Sequence, residues 1–300
     1  MKNQSKKINK KLIIQPKKEN ICAIFVTYNP DESLIKNIEA IINQVKKIVI
    51  IDNKSASDSW KFIKKITKKH SNINLIKNNG NVGLAKALNQ GAEYALKNKY
   101  EWILTMDQDS LARYNMVKFL IKAYNNAVGS KTNPVLIGSN FLHEYNKKSN
   151  FERLCKNKVY IKRNGIQTSG SLLSLSTYKN IGPFRNDFFI DYIDTEYCLR
   201  LKHKKLNTII ACDAYMLHSI AAIEKGASLP SYNHLRRYYR MKNGLKLVKE
   251  NIFKDPLWTI KKIFYFNREL AIIFFTEKNK IKKLKSIFKG ILHSFKKNTH

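Results

Sequence analysis

Two observations predict an α/β fold with a mostly parallel nucleotide-binding sheet flanked by helices, to which a C-terminal helical extension is added. Short apolar runs alternate with segments whose apolar residues recur every three or four positions. That alternation is the pattern of strand–helix–strand units with right-handed crossovers. Polar or acidic residues close successive runs: Asn29, Asp52, Asn78-Asn79 and Asp107. Ligands of open parallel sheets bind at the carboxyl ends of strands, so these closures point to one site.

The elements follow in order. Residues 1–19 are polar and basic and read as a disordered tail. Ile21–Thr27 is a buried strand, punctuated by Asn29-Pro30-Asp31. Leu34, Ile38, Ile41 and Val45 mark a helix, and Lys47–Ile51 a second strand ending at Asp52. Trp60, Ile63 and Ile66 mark the next helix, and Ile73–Ile76 the third strand. After the turn-rich loop Asn78–Gly83, a helix carries Leu84, Leu88, Gly91 and Ala95. Trp102–Met106 is the fourth strand, ending at Asp107. The second half is more mixed: Val135–Ser139, Gln167–Leu175 and Asn207–Cys212 read as strands, and Tyr232–Lys249 as a helix rich in Arg and Tyr. The reading divides the chain into a catalytic domain over 20–250 and an amphipathic helical extension over 251–300. The catalytic domain comprises a nucleotide-binding half (20–110) and an acceptor half (111–250).

Composition narrows the function. Three hundred residues are ample for a large core. Cys22, Cys155, Cys198 and Cys212 are scattered, with no C-x-x-C pair. Reduced thiols and a cytoplasmic location are therefore expected, and no structural zinc. No run of about 18 uncharged apolar residues occurs, and the basic N-terminus lacks the apolar core of a signal peptide. The net charge of +34 fits nucleic acid, an anionic membrane surface or an anionic substrate. The lysines are spread along the whole chain among many Asn and Ile, as a coding bias would spread them. No nucleic-acid partner is expected.

Two clusters carry chemistry. Asp107-Gln108-Asp109 follows an apolar strand, where two carboxylates can address one hard divalent cation, Mn or Mg, and a ribose. The same pattern also occurs as a solvated turn. Phe189–Arg200 sets Asp191, Asp194 and Glu196 among aromatic and aliphatic residues. Desolvation there raises carboxyl pKa values and suits one acid to act as a base. Asp194 as a helix cap and Glu196 as a first-turn acid is the structural alternative. Asn78–Ala85 looks like a phosphate cradle but lacks G-x-G-x-x-G and G-K-[ST]. His218 reads as structural unless the fold brings it to Asp109.

Taken in order, Val26-Thr27-Tyr28-Asn29-Pro30, Ile51-Asp52-Asn53, Asn78–Ala85, Asp107-Gln108-Asp109 and Asp191–Arg200 resemble the motifs of family 2 glycosyltransferases of GT-A fold. With His218-Ser219 and Arg237-Tyr238-Tyr239-Arg240, the chain is similar to bacterial dTDP-rhamnosyltransferases of surface polysaccharide synthesis. The resemblance implies an inverting, metal-dependent transferase using a nucleotide-diphospho sugar, dTDP-rhamnose foremost, and a lipid-linked glycan acceptor. Galactofuranosyl or glucosyl transfer on the same fold stays open. Thr27, Tyr28, Asn29 and Asp52 would form the base end of the donor site, with Asn79 and Gly83 lining the nucleotide. Asp107 would meet ribose or metal, Asp109 and His218 would sit at the metal, and Arg237 and Arg240 at the diphosphate. Asp194 would be the general base. Ile193 and Glu196 depart from the commoner Glu and Asp of relatives, which leaves Asp191 as a rival base.

The C-terminus carries a further pattern. Ile281, Leu284, Phe288, Ile291 and Phe295 share a helix face ringed by lysines. Trp258, Phe264, Tyr265, Phe266, Phe274 and Phe275 precede it. Two readings stand: peripheral docking on the anionic inner face of the plasma membrane, or packing on the catalytic domain.

Overall fold

A computed structural model of the chain describes residues 13–143, 148–149, 151–218, 233–276 and 279–296. Strands β1 (Ile21–Thr27), β2 (Lys47–Asp52), β3 (Ile73–Lys77) and β4 (Trp102–Asp107) run parallel. They are joined by α1 (Ser33–Ile42), α2 (Ser57–Lys69) and α3 (Leu84–Lys97). In β1, Ile21 through Phe25 are all fully buried. An unbroken apolar strand of this kind needs cover on both faces, which is why it does not alternate. Thr27 pairs with Asp52, Val26 with Asp107 and Asp52 with Lys77, so the strand ends finish level.

The second half comprises β5 (Ser110–Ala112), α4 (Met116–Gly129), β6 (Pro134–His143), α5 (Glu152–Cys155), β7 (Tyr160–Lys162), β8 (Ser171–Ser174) and α6 (Leu175–Ile181). It continues with α7 (Ile193–His203), β9 (Asn207–His218), α8 (His234–Asn251), α9 (Pro256–Thr276) and α10 (Lys280–Phe295). The sheet order is β3-β2-β1-β4-β8-β6-β9-β5, with β7 on β9. β8 lies antiparallel to β4, so antiparallel pairing enters where the first half meets the second. β9 runs on to His218, past the Cys212 expected to end it, because β6 and β5 supply partners along its length.

Two expectations are corrected. Residues 1–12 lie outside the described residues, but 13–19 are docked rather than loose: Ile13 packs on the core and Trp102 Nε1 donates to the Ile14 carbonyl at 2.8 Å. Cys155 and Cys212 are joined by a disulfide, their Cα atoms 5.3 Å apart across 57 residues of sequence. Spacing along the chain cannot reveal that α5 folds back against β9. Cysteine usage therefore gives no argument for a reducing compartment. Cys22 and Cys198 are free and buried.

Helices α9 and α10 both pack on α8. α10 does so through Lys283, Ile287, Gly290 and Ser294, with Ile281, Phe288 and Phe295 of its apolar stripe turned outward. Gly290 permits the approach: a Cβ there would stand 2.7 Å from the Tyr238 carbonyl oxygen. No helix of the described residues is long and apolar enough to cross a membrane.

Candidate active site

A cleft of about 410 Å³ opens where the strands end. Val26, Tyr28 and Asn53 form its first wall, with Asn81 and Gly83 beside them. Asp107, Gln108 and Asp109 follow, and the segment Phe189–Asp194 with Arg236 closes the far side.

The first wall is braced by side-chain amides. Tyr28 N donates to Gln108 Oε1 at 2.8 Å, and Gln108 Nε2 returns a bond to the Tyr28 carbonyl at 3.2 Å. The Tyr28 ring is left half-exposed. Asn29 takes a left-handed φ of 48°. Its N–H donates to Ser55 Oγ, and its Oδ1 accepts from Ala56 N. Asp52 is fully buried under this wall and does not line the cleft. Its carboxylate accepts from Thr27 Oγ1 and Ser55 N, each at 3.0 Å, and from Ser55 Oγ. Thr27 is buried with it. The neighbour Asn53 reaches the cleft instead, held by Asn78 Nδ2 at 2.9 Å.

In the cradle loop Asn79 points away, exposed, while Asn81 lines the cleft and accepts from Gly83 N at 3.0 Å. Gly83 has φ +85°. A Cβ there would lie 2.7 Å from the Phe189 ring, so backbone conformation and space both demand glycine. Leu84 N, at the start of α3, donates to the Phe189 carbonyl at 2.7 Å.

Asp107 is fixed through its backbone N–H, which donates to Ser169 Oγ at 3.0 Å. Asp109 stands exposed on the same cleft. Ser110 then pairs with His218, so the fold brings the backbone of His218 beside Asp109. The His218 side chain lies outside the described residues, and no group of three metal-ligating side chains occurs among those described. Two hard carboxylates on one wall are nonetheless a fitting start for a divalent-cation site.

The acid segment is held in a costly shape. Asp191 and Tyr192 both have left-handed backbones, φ 64° and 66°, which non-glycine residues adopt only when their surroundings impose it. Fully buried Asn243 of α8 supplies the constraint, its Nδ2 donating to the Ile190 and Asp191 carbonyls at 2.9 and 3.1 Å. The two acids then differ. Asp191 is ion-paired with Arg236 at 3.1 Å, and Arg240 lies 4.0 Å away. Asp194, in the first turn of α7, accepts from Thr195 N at 2.6 Å and from Thr195 Oγ1 at 3.3 Å. Loss of water around it pushes its carboxyl above the ordinary carboxylate range, and the nearby Asp191 charge adds to this. Buried Glu196 is structural: Arg200 pairs with it at 2.8 Å and also donates to the carbonyls of Ile181 and Pro183.

The arginines of α8 are redistributed. Arg236, which the sequence did not single out, lines the cleft. Arg237 is buried and paired with Glu269 of α9, so it does not reach the donor site expected of it. Arg240 is shared, bonding Glu269 at 3.3 Å on the side of Asp191. Burial opposes ionisation of Glu269, but the Arg240 and Arg237 guanidiniums outweigh it and hold the carboxyl below its usual value. Lys262 of α9 sits 4.3 Å over the Tyr192 ring, and burial pushes its ammonium down to about 8. The run Arg236-Arg237-Tyr238-Tyr239-Arg240, three basic and two aromatic residues, signals a functional helix. Its phase against α9 decides which arginine faces the cleft.

Residues 22–181 match the family described as Glycosyl transferase family 2. The dTDP-rhamnosyl transferase RfbF of Shigella flexneri is 31% identical over 280 residues, covering 89% of this chain and 92% of that protein. The crystal structure of S. aureus TarS 1-349 in complex with UDP-GlcNAc superposes with a TM-score of 0.63 at 12% identity, over 92% of this chain and 81% of that one. The mannosyltransferase PcManGT from Pyrobaculum calidifontis, in complex with GDP-Man and Mn2+, gives 0.57 at 12%, over 93% and 88%. At such identities these structures establish a shared fold. A parallel sheet with its acids gathered at the strand ends, the family match and a relative spanning nearly the whole chain agree: the chain belongs to glycosyltransferase family 2 and has the GT-A fold.

Proposed function

We propose that the chain transfers L-rhamnose from dTDP-rhamnose to a hydroxyl of a lipid-linked glycan, inverting the anomeric centre, at the inner face of the plasma membrane. The observation that carries the chemistry is the contrast between Asp191 and Asp194. Asp191 is neutralised by Arg236, whereas Asp194 has an elevated proton affinity and faces the same cleft. A carboxylate in that condition accepts a proton from an acceptor hydroxyl as it attacks. The similarity to the Shigella flexneri dTDP-rhamnosyl transferase supports the donor.

In this reading Tyr28 and Asn53 flank the base. Buried Asp52 acts on that wall from beneath, by fixing Thr27 and Ser55. Asn81 and Gly83 border the nucleotide. Asp107 and Asp109 would hold a divalent cation such as Mn or Mg, with His218 the neighbouring candidate; a cation bound there neutralises diphosphate charge. Solved relatives of the same fold are described with Mn2+, which supports that assignment. Arg236 lines the same cleft and holds Asp191 there. The test is release of nucleoside diphosphate from a panel of nucleotide sugars, with Mn2+ and with chelator. Release from dTDP-rhamnose above all others, lost in chelator, is expected. Release from a different sugar nucleotide would refute the donor, and full activity in chelator would refute the metal.

A further inference from the structure

Helix α9 buries a polar stripe alongside Trp258 and Leu270, which pack on the core, and leaves other bulky apolar residues outside. Its inward stripe at successive turns is Asp255 before the helix, then Thr259, Lys262, Phe266, Glu269 and Ile273, four of the six polar. Its outer side carries Leu257, Ile260, Phe264 and Phe275, between 65 and 74% exposed. On α10, Ile281, Phe288, Leu292 and Phe295 are likewise turned out. Single exposed apolar residues are ordinary, but two consecutive helices presenting bulky side chains outward mark a surface that something covers. Exposed Lys261, Arg268, Lys280, Lys282, Lys285 and Lys289 are interspersed with them.

We infer that the outer faces of α9 and α10 dock on an anionic bilayer, the apolar side chains entering the interface and the lysines meeting the headgroups. This rests on the proposed lipid-linked acceptor and gives that acceptor a position. Charge selects the occupant. A second copy of a chain carrying +34 would be repelled, whereas anionic headgroups attract it. Nucleic acid would satisfy the lysines and leave Leu257, Phe264 and Phe275 uncovered. The opposite side of the same helix reaches the reacting groups: Lys262 lies over Tyr192, and Glu269 holds Arg240 beside Asp191. A docked bilayer therefore lies about one helix diameter, roughly 10 Å, from the acid segment. That distance suits a glycan presented close to its lipid.

Vesicle flotation of the full chain tests this without using activity. Vesicles of phosphatidylglycerol and phosphatidylethanolamine should carry the protein upward, less so at high salt, while phosphatidylcholine alone should not. The variant Phe264→Ser/Phe275→Ser/Phe288→Ser should cut the bound fraction by at least about tenfold while still binding dTDP and eluting as a single species. Wild-type protein that stays with the dense fraction, or a variant that floats as well as wild type, overturns the inference. A wild-type dimer dispersed by the same variant assigns the face to a second copy and overturns it too. If flotation holds and rhamnosyl transfer fails, the docking surface stands and the donor or acceptor reading falls.

Discussion

Asp194 is where activity and stability pull against each other. Asp194→Asn keeps the side chain's size but cannot take a proton, so turnover should fall at least about a hundredfold while dTDP binding survives. Single-turnover assays and calorimetry separate the two, and an inactive Asp191→Asn beside an active Asp194→Asn would transfer the role of base. Burial raises the folded carboxyl of Asp194 above its unfolded value. Ionising it therefore costs the fold free energy as pH rises through that value. The Asn variant escapes this cost, so it should melt higher than wild type at about pH 7 and show no gain below the ordinary carboxylate range. Asp107, Asp109, Asp191 and Asp194 were legible as cleft residues because they close or interrupt apolar runs, and Tyr28 and Gly83 because they fall in motifs that resemble the family's. Asn53, Asn81 and Arg236 were not: Asn53 and Arg236 each adjoin a named residue and Asn81 lies two positions from Asn79 and from Gly83, and which residue of such a stretch faces a cleft is a matter of backbone orientation. Asp52 was legible as a strand-end acid, but its burial under Thr27 and Ser55 was not.

Among the elements, α8 and α9 meet through charge as well as through apolar packing of Phe266 on Gly244. Arg237 is buried against Glu269, with Arg240 adding a second guanidinium. Glu269→Ala should destabilise the chain by about 3–5 kcal/mol, because it removes the carboxylate that two guanidiniums, one of them buried, share. Arg237→Met/Glu269→Met should recover most of that loss, and denaturant midpoints for the set check both statements. Periodicity made both C-terminal helices legible as amphipathic segments. It could not show that α9 buries its polar stripe, since hydrophobic pattern assigns the apolar side to the core by default. The cross-link between α5 and β9 was equally hidden. Denatured without reductant, the chain should present two titratable thiols, Cys22 and Cys198, rather than four.

At the scale of the whole molecule, the all-parallel half was the most legible part, since strands buried on both faces read as plain apolar runs. The mixed half was less so: short β5 and β7 take their shape from β9 rather than from any pattern of their own. Pairing of β4 with β8 bears on how the protein is made. On the ribosome β4 emerges with one edge bare, and β8 follows roughly seventy residues later, a wait of roughly 3–14 s at about 5–20 residues per second. Throughout that interval a hydrophobic strand from the middle of the sheet offers its backbone to any neighbouring chain. A fragment ending near residue 110 freezes that moment permanently. Expressed alone it should partition into the insoluble fraction, while the full chain stays in solution, and recovery of a soluble fragment would show that the edge is protected by other means. The nascent chain thus has a window in which a holdase, or slower crowding by its own kind, decides its yield.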